Sequence, residues 1–196
     1  YRLIVPDHMG CGLSDKPQDY AYTLETHISN TLQLIQYLNL KSFHLMVHDW
    51  GGAIGFGVAT RLVDKIKSIT IQNTAAYTST DIPKRIAFCR SKFGGFLVQA
   101  VNAFAWPATY MAVAKPLSPL VKNAYLFPYN SFKNRIAIKA FVKDIPLTEA
   151  DESYKAIVEI ENNLKKLTCP KLILWGGKDF CFHKGFYDRW TEIYPQ

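Results

Sequence analysis

The residues best suited to chemistry stand together at Val47-His48-Asp49-Trp50-Gly51-Gly52, between an apolar run that reads as a strand and a stretch that reads as a helix. A sharp strand-to-helix turn of the form x-nucleophile-x-Gly exposes one side chain and aims the helix N-terminal amides at the same spot. The nucleophile position of this elbow holds Asp49. A carboxylate has a reference pKa of about 3.9, so it is ionised at pH 7 and attacks without a base. It is a modest nucleophile, suited to a carbon with a good leaving group or in a strained ring. The Trp50 indole N–H donates but cannot accept, which suits a developing anion. The plainer alternative is that Asp49 caps the helix and Trp50 packs in the core. The strand before, the helix after and the adjoining Trp favour chemistry.

A second carboxylate, Asp179, closes Leu174-Trp175-Gly176-Gly177-Lys178-Asp179 at the end of another apolar run. There it would orient an imidazole and stabilise its charged form; an ordinary turn or capping Asp is the alternative. None of the five histidines fits as its partner. His48 belongs to the strand-end pattern, His44 lies within a strand, and His8 and His27 sit in or after a Gly-rich loop. His183 follows Asp179 by only four residues, too close for a triad.

The elements that must position these residues come in two textures. Over 1–76, short apolar runs alternate with helical periodicity: strands at 3–5, 43–47 and 66–71, a helix capped by Thr23 with Ile28, Leu32 and Ile35 on one face, and a helix over 51–63. The pattern predicts a parallel α/β sheet. In the second helix the small residues lie on the side nearest the strand. From 77 to 167 there is no clear strand, 13 aromatic residues, and six prolines that cut the segment into short helices, which reads as a helical insertion over the sheet. The first texture returns with a strand at 170–176 and a helix near 185–193. The division is therefore a core from 1 to 76, a helical cap from 77 to 167 and a second core part from 168 to 196. Gly10 and Gly12 in the 7–17 loop suggest a phosphate cradle only weakly, because no GK[ST] or GxGxxG follows; a structural turn is the better reading.

Composition excludes several classes. With 196 residues, 48% hydrophobic and 20% charged, and a mean hydropathy near zero, the chain builds a core and is not disordered. The net charge of +7 is concentrated between 77 and 168, with 13 basic against 7 acidic residues. No block of like charge appears there. A solvated face explains it better than a nucleic-acid groove, and the same holds for Arg85, Arg90 and Lys92 as an anion site. Cys11, Cys89, Cys169 and Cys181 show no CxxC or ligand spacing, which points away from disulfides and zinc and toward the cytoplasm. No signal peptide is read at the start. The charge-free run 93–114 is interrupted by Gly94-Gly95, Gln99, Asn102 and Pro107, so a membrane span is a poor reading.

The 6–17 segment, the elbow and the 176–179 turn together resemble the haloalkane dehalogenase-like branch of the α/β-hydrolases, whose chain order is nucleophile, acid, histidine. The closer likeness is to the β-lactone decarboxylases of bacterial long-chain olefin synthesis. It is carried by His48-Asp49-Trp50-Gly51-Gly52-Ala53-Ile54, Gln72-Asn73-Thr74-Ala75-Ala76, Asn102-Ala103-Phe104-Ala105, Pro116-Leu117-Ser118-Pro119, 141–147 and Asp179-Phe180-Cys181-Phe182. The resemblance implies an α/β-hydrolase fold with Asp49 as nucleophile, Trp50 as anion-stabilising donor and Asp179 as triad acid. It implies an apolar substrate, no metal or organic cofactor, and association with other olefin-pathway enzymes. It also implies a His-Gly-x-Pro type oxyanion loop and a catalytic histidine that these residues lack, so the chain reads as an internal fragment, inactive alone. The implied reaction converts a cis-3,4-dialkyl β-lactone to a cis-alkene and carbon dioxide.

The alternatives are haloalkane dehalogenation, which wants a second halide donor, and epoxide hydrolysis, for which Tyr110, Tyr125 and Tyr129 are available. A non-catalytic binding module on the same scaffold is the last. Of the aromatic residues Phe88, Phe93, Phe96, Phe104, Trp106 and Tyr110, part would form the cap's core and part line a pocket.

Overall fold

The computed structural model describes residues 1–195. Its contacts divide the chain into two compact units, Leu24–Asp81 with Pro146–Gln196, and Tyr1–Thr23 with Ile82–Ile145.

The first of these holds the sheet. Strands β1 (Phe43–His48), β2 (Ile66–Gln72) and β3 (Lys171–Leu174) run parallel in the order β1-β2-β3. Leu45 pairs with Ile69, and Val47 with Ile71, which pairs in turn with Ile173. One face is apolar and covered: Val47, Ile69 and Ile71 are buried. The alternate positions, among them Met46, Leu172 and Leu174, face outward. Helix α1 (Leu24–Tyr37) buries Leu24, Ile28 and Ile35. The N–H of Leu24 is met by the Ser153 hydroxyl at 3.0 Å. Helix α2 (Trp50–Arg61) follows β1 without a loop. Of its glycines, Gly55 lies toward β1 and Gly52 toward Thr74 after β2, whereas Gly57 faces Ile28 of α1. A Cβ on Gly55 would sit 2.5 Å from Val47 Cγ1, so the backbone approach needs glycine there.

Helix α8 (Tyr154–Asn163) lies within 77–167, yet it packs in this unit against α2, burying Ile157 and Ile160. Helix α9 (Lys184–Ile193) contributes Trp190, which is fully buried. Its ring stacks on Phe56 at 4.7 Å, and its Nε1 donates to the Thr74 carbonyl at 2.8 Å. That bond ties the helix to the end of β2, beside the elbow.

The other unit is all helix and turn: α3 (Lys84–Arg90), α4 (Lys92–Val101), α5 (Ala105–Met111), α6 (Pro119–Leu126) and α7 (Ile136–Lys143). Its core gathers Cys89, Val98 and Val142, with Ile86, Phe104 and Ile138 against them. Of the six aromatic residues considered for this core, Phe104 packs into it, whereas Phe88, Phe93, Phe96, Trp106 and Tyr110 are exposed. The charge-free run 93–114 is broken at Asn102, which ends α4 in the left-handed conformation. Among the described residues no helix is long and apolar enough to cross a membrane.

The expected strand at 3–5 is not formed. Leu3 and Val5 are exposed, and among the described residues no strand pairs with them. An apolar run becomes a strand only where a neighbour takes its backbone groups. The 7–17 loop is a self-bonded turn, as expected. Asp7 Oδ2 accepts from Leu13 N at 2.9 Å, Ser14 Oγ donates to Asp7 O at 2.7 Å, and Gly12 N donates to the Tyr129 hydroxyl at 3.2 Å. The N–H groups that a phosphate cradle would need are spent on these bonds.

Candidate active site

The parallel strands end on one side of the sheet, and the candidate residues follow those ends: Asp49 after β1, Asn73 and Thr74 after β2, Asp179 after β3. Asp49 has φ 51° and ψ −132°, a conformation that a side-chain-bearing residue adopts at a cost of about 1–3 kcal/mol and keeps only where its surroundings force it. The forcing groups are identifiable. The Asp49 N–H donates to the Asn73 carbonyl at 3.1 Å, and the Asp49 carbonyl accepts from Thr74 Oγ1 at 2.5 Å and from Gly52 N at 2.9 Å. The carboxylate accepts from the Trp50 N–H at 2.5 Å. The elbow inferred from Val47–Gly52 is present, with its side chain exposed at the tip.

Desolvation by the protein around it pushes the Asp49 carboxyl above the ordinary carboxylate range. The Trp50 N–H and the nearby His48 act against that push, and Asp179 adds to it. Hydration at the exposed tip limits the rise. The structure thus brings Asp49 and Asp179 within electrostatic reach of each other. Cys181, which feels both carboxylates, is pushed up to about 12, chiefly by burial, so it stays a thiol at neutral pH.

Asp179 sits in a tight turn after β3. Its N–H donates to the Gly176 carbonyl at 3.2 Å, and its Oδ1 accepts from Cys181 N at 2.8 Å and Phe182 N at 3.0 Å. Among the described residues Oδ2 takes no such bond. His183 is committed elsewhere: Nε2 lies 2.7 Å from Asp81 Oδ2, and Nδ1 accepts from Gly185 N at the start of α9. His44 Nδ1 bonds Ser68 Oγ, and His27 is buried in α1. Among the described residues no group of three or more His, Cys, Asp or Glu could hold a metal ion.

Asn73 and Thr74 were not singled out from the sequence as site residues, although they stand at a strand end like both carboxylates. Asn73 is buried and spans two parts of the site. Its carbonyl holds the elbow, while its side chain accepts from Gly176 N at 2.7 Å and donates to Gly176 O at 3.1 Å and Phe182 O at 3.4 Å. Asn73→Ala strands these buried partners, at about 1–3 kcal/mol. We expect turnover to fall about 100-fold with KM little changed, as misplacement of a reacting group predicts. Asn73→Asp keeps the acceptor and loses the donor, so it should fall between the two; steady-state kinetics beside thermal melts will check the order.

The family described as alpha/beta hydrolase fold matches residues 1–196. The chain belongs to the α/β-hydrolase family. This α/β-hydrolase is 43% identical over 204 residues to a cis-3-alkyl-4-alkyloxetan-2-one decarboxylase of Shewanella oneidensis, which aligns with 100% of the chain. It is 37% identical over 209 residues to a protein of the same name from Xanthomonas campestris, again over 100% of the chain. The chain spans 64% of the first relative's length and 70% of the second's. Among solved structures it is similar to a haloalkane dehalogenase from Bradyrhizobium elkani USDA94, with TM-score 0.83, 21% identity, and coverage of 96% of this chain and 68% of that one. That likeness speaks for the fold.

Proposed function

We propose that the protein decarboxylates cis-3,4-dialkyl β-lactones to cis-alkenes, with Asp49 as the covalent nucleophile. The observation that carries the reading is a carboxylate at the elbow tip of a chain 43% identical to such a decarboxylase.

In this reading an Asp49 carboxylate oxygen bonds to the ring carbon that bears the ring oxygen. The carbon–oxygen bond breaks with inversion, and relief of ring strain drives the step. The products are an alkyl ester on Asp49 and a free carboxylate, whose charge Trp50 and neighbouring backbone N–H groups would hold. The bond to that carboxylate then breaks. Its electron pair forms the double bond while the ester oxygen leaves, so carbon dioxide departs and Asp49 returns as a carboxylate. Inversion followed by anti elimination preserves the cis geometry, and no water is consumed.

Asp179, with Oδ2 available, is assigned the role of holding an imidazole, supplied by a histidine outside these 196 residues. The helical stretch within 77–167 serves as the cap. The substrate is a hydrophobic small molecule, the location is cytoplasmic, and other enzymes of olefin synthesis are the partners.

The test uses the protein expressed from its complete reading frame, given a long-chain cis-β-lactone or a bromoalkane in ¹⁸O-water. Cis-alkene, absent from an Asp49→Ala control and formed without ¹⁸O entering the Asp49 carboxylate, is the expected result. Bromide release with ¹⁸O-labelled alcohol and no alkene would replace this reading with dehalogenation. Neither product from folded protein would overturn both.

A further inference from the structure

Within Ile82–Ile145 ten Lys and Arg stand against one acidic residue, Asp144, while the remainder of the chain carries thirteen against fifteen. Charge alone would describe a solvated face. What lies between the charges is the second observation. Trp106 and Tyr110 pack with ring centroids 5.3 Å apart, and the Lys122 ammonium lies 3.9 Å from the Tyr110 ring centroid. Arg85 Nη1 is 2.9 Å from Met111 Sδ, and Phe88 meets Phe93 edge-on at 6.3 Å. Arg85 and Phe88 are one turn apart on α3, Arg85 reaches Met111 on α5, and Lys122 on α6 reaches Tyr110 on α5, so these contacts link α3, α5 and α6. Large side chains here stay in solvent: Trp106 is 54% exposed, Phe93 64% and Leu120 79%.

Contiguous exposed apolar surface marks an interaction site, and the way charge is mixed into it indicates the partner. Protein interfaces deplete lysine at their centres. Here the Lys122 ammonium lies against the Tyr110 ring, among the exposed aromatic side chains. Rings and Leu at the acyl boundary, with cations reaching the headgroups, are the arrangement of a face lying on an anionic bilayer. Between α5 and α6 a cavity of about 220 Å³ is lined by Thr109, Tyr110, Val113, Ala114, Pro116 and Lys122, which sets an ammonium and two hydroxyls beside apolar walls. A lipid phosphate suits that lining.

We propose that α3, α5 and α6 form a peripheral binding face for a bilayer surface rich in anionic lipid. This does not rest on the catalytic reading. Vesicle binding is measured without substrate and turnover with detergent-dispersed substrate, so either can fail alone.

The test is co-sedimentation of the protein from its complete reading frame with vesicles of phosphatidylcholine, alone or with about one third phosphatidylglycerol. Binding to the anionic vesicles should be at least about tenfold stronger and should weaken steeply as salt is raised. Arg85→Glu/Lys122→Glu should lose about tenfold or more of that binding with its circular dichroism unchanged. Trp106→Ser should lose about tenfold while keeping the salt dependence, because it removes buried apolar area and no charge. Equal sedimentation with both lipids, no binding by folded protein, or full binding by the charge-reversed variant would overturn the proposal. So would preferential capture by an acidic polypeptide such as polyglutamate over the vesicles.

Discussion

Asp49→Asn will abolish alkene formation from a cis-β-lactone, by about 10⁴-fold or more, in a protein that melts at a higher temperature than its parent. The loss follows from the chemistry: an amide has neither the charge nor the lone-pair basicity to open the ring and leave again. The stability gain follows from linkage. Desolvation and Asp179 hold the Asp49 pKa above its unfolded value, so the folded state binds the proton more readily than the unfolded chain. Stability contributed by the protonated form is complete below the unfolded pKa and is lost as pH rises through the folded one. At neutral pH the carboxylate is therefore held at a cost. Asn carries no charge and tolerates positive φ better than most residues, so it removes that cost and keeps the elbow's backbone. The same displacement predicts that kcat/KM of the parent falls with acid at a pH above the ordinary carboxylate range. Melting curves and a pH–rate profile check both halves. A variant that melts lower than its parent would show that the charge helps to hold the elbow, and an acid limb near the ordinary value would show that Asp49 is fully hydrated.

What the sequence makes legible is what depends on local pattern. The short apolar runs at 43–47 and 66–71 mark strands that are there, and glycines between an apolar run and a helix mark the turn that carries Asp49. The misses depend on partners far along the chain. The run at 3–5 has a strand's composition, yet strand formation is a pairing event, and among the described residues none pairs with it. Helix α8 lies in the Pro-rich stretch by sequence but packs on α2 through Ile157 and Ile160, a contact across about a hundred residues that periodicity cannot announce. Asn73 is polar at a strand end and looks like any turn residue until its amide is seen reaching Gly176 and Phe182, more than 100 positions away. The glycine pair is a subtler case. Both glycines suggest a helix starting close to a strand. A Cβ on Gly51 would meet open space, whereas one on Gly52 would fall on the Thr74 side chain. The close approach belongs to one glycine, and spacing alone does not say which.

Gly52→Ala should accordingly be the most damaging single methyl group in the sheet-bearing unit, and its damage should be repairable in part at one other position. The added Cβ meets Thr74 Oγ1 and comes within 2.7 Å of its Cβ and Cγ2. Thr74 has nowhere to go: its side chain is fully buried, its hydroxyl is bonded to the Asp49 carbonyl, and its own carbonyl receives the Trp190 indole. The strain must move either the start of α2 or the end of β2, and the elbow joins the two. Overpacking of this kind costs about 1–3 kcal/mol. A displacement of the nucleophile by about 1 Å costs on the order of 100-fold in turnover. Thr74→Ala alone removes the hydroxyl that holds the Asp49 carbonyl, for about 1 kcal/mol and a smaller kinetic loss. In the double variant Gly52→Ala/Thr74→Ala the contacts with Oγ1 and Cγ2 are gone, and only the Cβ–Cβ approach of 2.7 Å is left for the backbone to relieve. The double variant should be more stable and more active than Gly52→Ala alone, giving a favourable coupling of about 1 kcal/mol or more in the thermodynamic cycle. Additive losses would mean that the elbow tolerates the methyl group by another route and that Thr74 is not what fixes its geometry.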